Sequence, residues 1–370
     1  MSATQRNESW RNKALRTCWR LLQTANVVAS SLTSGISGDV RIFYGGARQG
    51  DLGGPLVKVK RLREHFPESR WRYNLVYALS NAAYLSAGAL AWLKMRHVPI
   101  VLNQNGVFYP GWYDGDWQKM NAQMGLAYHR ADHVFWQSDF CRRAADQFLG
   151  RREGAGEVLF NGIDTLRFCP AQVHQDRPFT FLLTGKIDAH LGYRLESSIT
   201  GLRVARDGGL HARLLIAGQL ADTVLEASLR QVNRLGLEGD VDFLGAYTQE
   251  TAPAIYQKAD AYIMTKYLDP CPNTVLEAMA SGLPVLYSAS GGVPELVGPL
   301  AGIALPVPER WDEIAITPTP EEIGKGMIEV ARGAPAMSVA ARQRAEDEFE
   351  ITRWIERHRQ VFRRLLGSNN

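Results

Sequence analysis

Residues 269–295 read DPCPNTVLEAMASGLPVLYSASGGVPE, and the order of signals within them decides the fold. Asn273 or Thr274 can open a helix whose apolar positions Leu276, Met279 and Ala280 face a core, with Glu277 near the first turn. The amide end of such a helix is able to hold an anion. Residues 284–287 then read as a short buried strand, and Gly291-Gly292 lets the backbone turn tightly before Glu295. With Asp269 placed ahead of the helix, the stretch joins carboxylates to an anion-binding helix end. That pairing suits a ligand bearing both hydroxyls and phosphates, such as a nucleotide sugar.

Working outward, short apolar runs alternate with amphipathic segments from residue 39 onward, the pattern of parallel α/β units. Strands are expected at 40–44, 74–78, 100–104, 133–136 and 158–160, and again at 179–183, 214–217, 241–244, 261–264 and 285–287. Two doubly wound α/β sheets follow, with a seam near 168–178, where Cys169-Pro170 leads into a polar stretch. Residues 349–366 place Ile351, Trp354, Ile355, His358, Val361, Phe362 and Leu365 at helical spacing. Ahead of Asp39, the residues Trp10, Ala14, Leu15, Trp19 and Leu22 share one helical face beside several arginines. That face either docks on its own domain or touches a membrane surface.

The 370-residue chain has room for two domains of ordinary size. Its apolar content of 45% and charged content of 22% are those of a soluble globular protein. A net charge of +4 permits attraction to acidic head groups or phosphorylated substrates and argues against a nucleic-acid partner. Cys18, Cys141, Cys169 and Cys271 form no CxxC pair, which points to reduced thiols in a cytoplasmic compartment. The first residues lack the apolar core and cleavage site of a secretory signal. The uncharged run 75–93 approaches spanning length, but Ser80, Asn81, Ser86 and Gly88 interrupt it. It reads as a strand that ends at Ser80-Asn81, where a helix cap follows.

The spacing of Asp269 and Glu277, the run LEAMASGLPV and the following GGVPE together resemble the donor-site signature of the retaining family 4 glycosyltransferases. The resemblance implies the GT-B fold, with two Rossmann-like domains. It assigns 1–38 to an N-terminal extension, 39–170 to an acceptor-side domain, 171–348 to a nucleotide-sugar-binding domain, and 349–370 to a helix crossing back to the first. The family usually has glutamate at both acidic positions, whereas Asp269 is one methylene shorter. Where the family loop offers glycine amides, this chain has Pro270, Cys271 and Pro272, and proline has no amide hydrogen.

The resemblance also implies roles. Lys186, in FLLTGKIDAHLGYR, stands where a basic residue neutralises the donor diphosphate, and Arg194 is the second cation. Glu277 would accept the ribose hydroxyls, Asp269 would bind hydroxyls of the transferred sugar, and the amides of Asn273 and Thr274 would receive a phosphate or sugar oxygen. Gly291, Gly292 and Glu295 shape the donor crevice. In the first domain, Gly53-Gly54 lets the backbone approach the donor phosphates, and Asn105 takes the place where many relatives have a histidine near the sugar. Phe108, Tyr109, Trp112 and Tyr113 suit stacking on sugar rings. His190 and His129 are candidate accessory groups.

The implied activity is transfer of a sugar from a nucleotide-diphosphate donor to a glycan, lipid-linked or other hydroxyl acceptor, with retention and without a protein nucleophile. Asp114-Gly115-Asp116 and Asp240-Val241-Asp242 look like the metal-binding DxD of another fold. Both read as turn chemistry, so neither an obligatory metal nor another cofactor is expected. No GxGxxG follows a strand and no GxxxxGK[ST] occurs, which disfavours a dehydrogenase or NTPase. Two alternatives stay open, a non-catalytic nucleotide-sugar-binding relative and another GT-B enzyme such as a nucleotide-sugar epimerase. The oligomeric state is left open.

Overall fold

The computed structural model describes residues 10–31, 39–47, 54–82, 84–171, 177–312 and 315–367. Contacts divide the chain into two compact units. The first runs through Phe160 and takes in Arg310–Ile314 and the chain from Trp354 onward; the second holds Asn161–Glu309 and Ala315–Arg353.

In the first unit α1 (Trp10–Ser31), β1 (Ile42–Phe43), α2 (Gly54–His65), β2 (Leu75–Leu79), α3 (Ala87–Met95), β3 (Ile100–Gln104), α4 (Trp117–Tyr128), β4 (His133–Trp136), α5 (Asp139–Phe148) and β5 (Ala155–Val158) follow one another. The strands pair parallel in the order β1-β2-β3-β4-β5. β2, β3 and β4 are buried along their whole length and are mostly apolar, with Asn103, Gln104 and His133 as buried polar exceptions.

Two local expectations are corrected here. The strand expected at 158–160 lies at Ala155–Val158, with Ala155 opposite His133. It is an edge strand with the sequence AGEV, and a Cβ at Gly156 would meet the Trp136 ring at 2.4 Å. The helix cap expected at Ser80-Asn81 is Ser86, whose side chain accepts the Ala89 N–H. Ser80 instead opens a short 3-10 turn, and its hydroxyl accepts the Asn105 N–H at 2.9 Å.

The second unit runs β6 (Phe179–Thr184), α6 (Tyr193–Asp207), β7 (Ala212–Ala217), α7 (Asp222–Leu235), β8 (Val241–Gly245), α8 (Ala252–Tyr256), β9 (Ala261–Met264), α9 (Asn273–Ala280), β10 (Val285–Ala289), α10 (Val293–Val297), β11 (Gly302–Pro306) and α11 (Pro320–Glu348). Its parallel sheet has the order β11-β10-β9-β6-β7-β8. The strand β11 was not expected. Its core includes Phe181, Leu183, Leu195, Ile199, Ile216, Ile263, Leu286, Ile323 and Met327. The order reverses between β6 and β9, and a crevice forms at the carboxyl ends of strands on either side of such a reversal.

The last helix, α12 (Ile351–Leu365), buries Trp354, Ile355, His358, Val361 and Phe362. Phe362 packs edge-on against Phe66 and Tyr77, and His358 Nε2 lies 3.0 Å from the Tyr77 hydroxyl. His358 Nδ1 is 2.8 Å from the Trp354 carbonyl, which can only accept, so Nδ1 carries the proton and Nε2 accepts from Tyr77. Among the described residues no helix is long and apolar enough to cross a membrane. α1 nevertheless exposes Leu15, Leu21 and Leu22 by 61–67%.

Candidate functional site

At the carboxyl ends of β6 and β9 the second unit gathers a cluster of buried polar residues, among them Thr184, Arg194, Thr265 and Glu277. Arg194 lies in the first turn of α6, is 3% exposed, and donates from its terminal nitrogen to the Thr184 carbonyl at 3.3 Å. The same nitrogen is 3.9 Å from the Met264 sulfur, so the guanidinium lies between the ends of β6 and β9. Its Nε has no partner, and it meets no carboxylate among the described residues. A buried cation so placed calls for an anion from outside the protein. Lys186, by contrast, is 65% exposed and sits 4.0 Å from Asp188.

Asp269 follows Leu268, which is buried and held at a φ of 51°. A β-region residue would be cheaper there, and neighbouring contacts impose the left-handed conformation. Leu268 N–H reaches the Ser290 hydroxyl at 3.3 Å, Gly292 N–H donates to the Asp269 carbonyl at 2.9 Å, and a Cβ on Gly291 would lie 2.5 Å from that carbonyl oxygen. Gly291, at a φ of 69°, is therefore required for the turn to close on the acidic loop. The Asp269 carboxylate pairs with Lys266 at 2.7 Å and accepts the Cys271 N–H at 3.2 Å.

α9 begins at Asn273 with Pro272 in the cap position, and no side chain closes its start. The amides of Asn273 and Thr274 are thereby left for an outside acceptor. The Asn273 side chain accepts from Asn161 at 2.9 Å, and Asn161 also donates to the Cys271 carbonyl at 3.2 Å, which anchors the loop. Glu277, one turn further in, is 2% exposed and accepts the Tyr256 hydroxyl at 2.8 Å. Burial and then the Glu277 charge raise the pKa of both Tyr247 and Tyr256, so both phenols stay protonated donors. Glu295 opens α10, where its carbonyl accepts from Arg344 at 2.8 Å.

The first unit has its own polar cluster at the ends of β2, β3 and β4. Lys58, buried on α2, donates to Asn103 at 2.7 Å and to Asn105 at 3.4 Å. Gln137 donates to the side-chain oxygens of both asparagines. Because an ammonium only donates, the Asn105 oxygen must face Lys58 and its NH2 must face Asn81, which accepts at 2.8 Å. Gly54 opens α2; Gly53 lies outside the described residues. Of the aromatic loop, Tyr109 is buried against Trp311 at 5.0 Å and Phe108 packs on Tyr113 at 5.2 Å, while Trp112 is exposed.

His129 is bonded to the Leu149 carbonyl at 2.8 Å, and His190 stands in a short 3-10 turn. Asp116 caps α4, Asp240 pairs with Arg206 at 2.9 Å, and Asp242 pairs with Arg213. Among the described residues, no three His, Cys, Asp or Glu side chains are grouped to hold a metal ion. Sequence reasoning missed Thr184, Tyr247, Tyr256, Lys266, Lys58 and Gln137. Only the placement of Lys58 four residues after Gly54 was available as a signal.

A family model described as glycosyl transferases group 1 matches residues 173–317, which span the site from β6 to β11. That segment resembles the glycosyl transferases group 1. The chain is 31% identical over 116 residues to the mannosylfructose-phosphate synthase of Agrobacterium fabrum, covering 30% of this chain and 26% of that protein. It is 30% identical over 156 residues to the D-inositol 3-phosphate glycosyltransferase of Salinispora tropica, covering 37% and 32%. The chain thus spans about a third or less of the length of these two relatives. Among solved structures, Anabaena HepE in complex with UDP shares a TM-score of 0.62 at 20% identity, over 83% of this chain and 82% of that one. The sucrose-phosphate synthase of Thermosynechococcus elongatus shares 0.63 at 18%, over 98% and 94%. The two units have the GT-B fold.

Proposed function

We propose that this chain is a retaining glycosyltransferase that moves a sugar from a nucleoside-diphosphate donor to a hydroxyl acceptor. The observation that carries the reading is the buried Arg194 guanidinium, which meets no carboxylate and lies where the strand order of the group 1 domain reverses. Arg194 would bind the diphosphate, with Lys186 and the amides of Asn273 and Thr274 adding further positive potential. Glu277 would accept the ribose diol and Asp269 the sugar hydroxyls. The acceptor oxygen would attack the anomeric carbon on the face from which the diphosphate departs. The C–O bond to the diphosphate breaks as the new one forms, and the leaving phosphate oxygen takes the acceptor proton.

Such a mechanism needs charge stabilisation at the leaving group rather than a protein base, and a fixed cation in a low-dielectric site supplies it. The donor in this reading is a UDP-sugar, the ligand named for the Anabaena neighbours. A lipid-linked acceptor would fit an enzyme that rests on an anionic membrane surface through α1. That helix has Arg11, Lys13, Arg16 and Arg20, no acidic residue, and outward leucines.

One observation favours a second reading, a binding protein without turnover: Asp269 is already engaged by Lys266. Calorimetry and a transfer assay with UDP-glucose separate the two. Turnover supports the enzyme, and binding without transfer or hydrolysis supports the binder. In either case Glu277→Gln should weaken UDP binding by about ten- to a hundredfold, since it removes a charge-assisted acceptor worth roughly 1.5–3 kcal/mol. Unchanged affinity would remove Glu277 from the site.

A further inference from the structure

Three hydroxyl groups lie in line behind Glu277 and have no part in the reaction described above. Tyr256 Oη is 2.8 Å from Glu277 Oε2, Thr184 Oγ1 is 3.3 Å from Tyr256 Oη, and Tyr262 Oη is 3.0 Å from Thr184 Oγ1. All four residues are buried, and no water-filled route is needed to connect them. Distances alone leave the donors undetermined, but the chemistry of the groups orders them. A carboxylate only accepts, so the single proton of Tyr256 goes to Glu277. Tyr256 then has only lone pairs to offer Thr184, and Thr184 must donate to it. With its one proton spent, Thr184 accepts from Tyr262.

We propose that Tyr262, Thr184 and Tyr256 form a one-way hydroxyl relay that holds the Glu277 carboxylate in place as the acceptor for the ribose diol of a nucleotide. The assignment of the diol to Glu277 rests on the functional reading above; the relay itself does not. Hydrogen bonds that run in one direction polarise one another, so each donor strengthens the next. Tyr247, whose phenol neighbours both Thr184 and Tyr256, adds a donor at the same end. Thr184 also joins the relay to the cation: its side chain serves Tyr256 while its carbonyl accepts from Arg194 at 3.3 Å. One residue at the end of β6 thus sets the distance between the group that meets the ribose and the group that meets the diphosphate. Tyr256, Thr184 and Tyr262 are positioning residues in this scheme, for they act through Glu277.

The relay is tested in two arms. Without ligand, NMR of protein with labelled tyrosine should show a slowly exchanging, downfield Tyr256 hydroxyl proton. That proton should move upfield in Thr184→Val and again in Glu277→Gln. Its absence, or indifference to Thr184→Val, would overturn the order proposed. With ligand, calorimetry compares UDP with 2′,3′-dideoxy-UDP, which lacks the diol. Tyr256→Phe should lose about five- to tenfold in UDP affinity and Thr184→Val about two- to fivefold, in keeping with single hydrogen bonds. Neither should lose affinity for the dideoxy compound, and their combination should be less than additive because both act on one acceptor. Equal losses for both nucleotides would mean a merely structural role and refute the positioning claim. If the parent protein bound neither nucleotide, the functional reading would fall while the NMR arm still decided the relay.

Discussion

Replacing Arg194 by methionine separates what the residue does for the fold from what it does for a ligand. The guanidinium is 3% exposed, has no partner at Nε, and is held chiefly by one carbonyl at 3.3 Å. Without a ligand it is a buried charge with poor compensation, and an apolar side chain of similar length should stabilise the fold by about 1–3 kcal/mol. At about 2–4 °C per kcal/mol for a unit of this size, the unfolding midpoint should rise by several degrees. Binding should move the other way, because loss of a charge-assisted contact to phosphate costs about 1.5–3 kcal/mol, or roughly ten- to a hundredfold in UDP affinity. Saturating UDP raises the parent's stability by about 2.7 kcal/mol at a hundred times its Kd. Scanning calorimetry with and without UDP should therefore show a higher starting midpoint and a smaller ligand shift in Arg194→Met. Lys186→Ala is the internal comparison: its ammonium is exposed and screened, so UDP affinity should change only a few-fold, with turnover reduced more than binding. A fall in the Arg194→Met midpoint together with an undiminished UDP shift would refute the reasoning, for it would make Arg194 a structural residue.

Transfer should survive EDTA, because in the proposed site the Arg194 guanidinium and the helix amides would balance the diphosphate without a divalent ion; loss of activity restored by magnesium or manganese would reverse that assignment. NMR of the linkage formed from UDP-glucose should show the donor's anomeric configuration kept, and an inverted product would exclude same-face attack. Below pH 6.5 the first unit should lose about 1.4 kcal/mol of stability per pH unit, since burial holds His358 down to about 3 while the unfolded chain protonates it near 6.5. In that window the unfolded state binds the extra proton, so the loss grows as pH falls; unfolding midpoints should show the slope in the parent and not in His358→Leu. Sedimentation with anionic vesicles should carry the protein down, and Leu21→Glu with Leu22→Glu should leave it in solution; equal recovery of both would end the membrane reading of α1.

What the sequence shows of this fold follows from where each strand lies. Ile100–Gln104, His133–Trp136 and Ala261–Met264 are buried throughout, and the apolar runs 100–102, 134–136 and 261–264 mark each of them, with the bounds observed. β5 and β11 lie at sheet edges and carry Gly156, Gly302 and Pro306, so neither announces itself by periodicity. Gly156 is there because the Trp136 ring leaves no room for a side chain, a contact between residues 20 apart that no window of sequence contains. The same limit applies to the site. Asp269, Asn273 and Glu277 share one loop and helix, whereas Tyr256 reaches Glu277, and Thr184 reaches Tyr256, from separate elements.

The two cations show what local sequence leaves out. Lys186 and Arg194 both follow β6 in a polar segment, and both could pass for solvated surface charge. Their fates differ because of direction rather than composition. Side chains of a helix lean toward its amino end, so a residue in the first turn of α6 points back toward the strand that precedes it. Arg194 has the length to follow that direction to the Thr184 carbonyl and the Met264 sulfur, under the ends of β6 and β9. Lys186 belongs to the connection itself, where no helix directs it inward and Asp188 lies 4.0 Å away. Turning α6 by one residue would place Tyr193 or Leu195 in the guanidinium's position and leave the crevice without its buried cation. The register of α6 against β6, held by Leu195, Ile199 and Leu202 in the core, is therefore as much a part of the site as the arginine it carries.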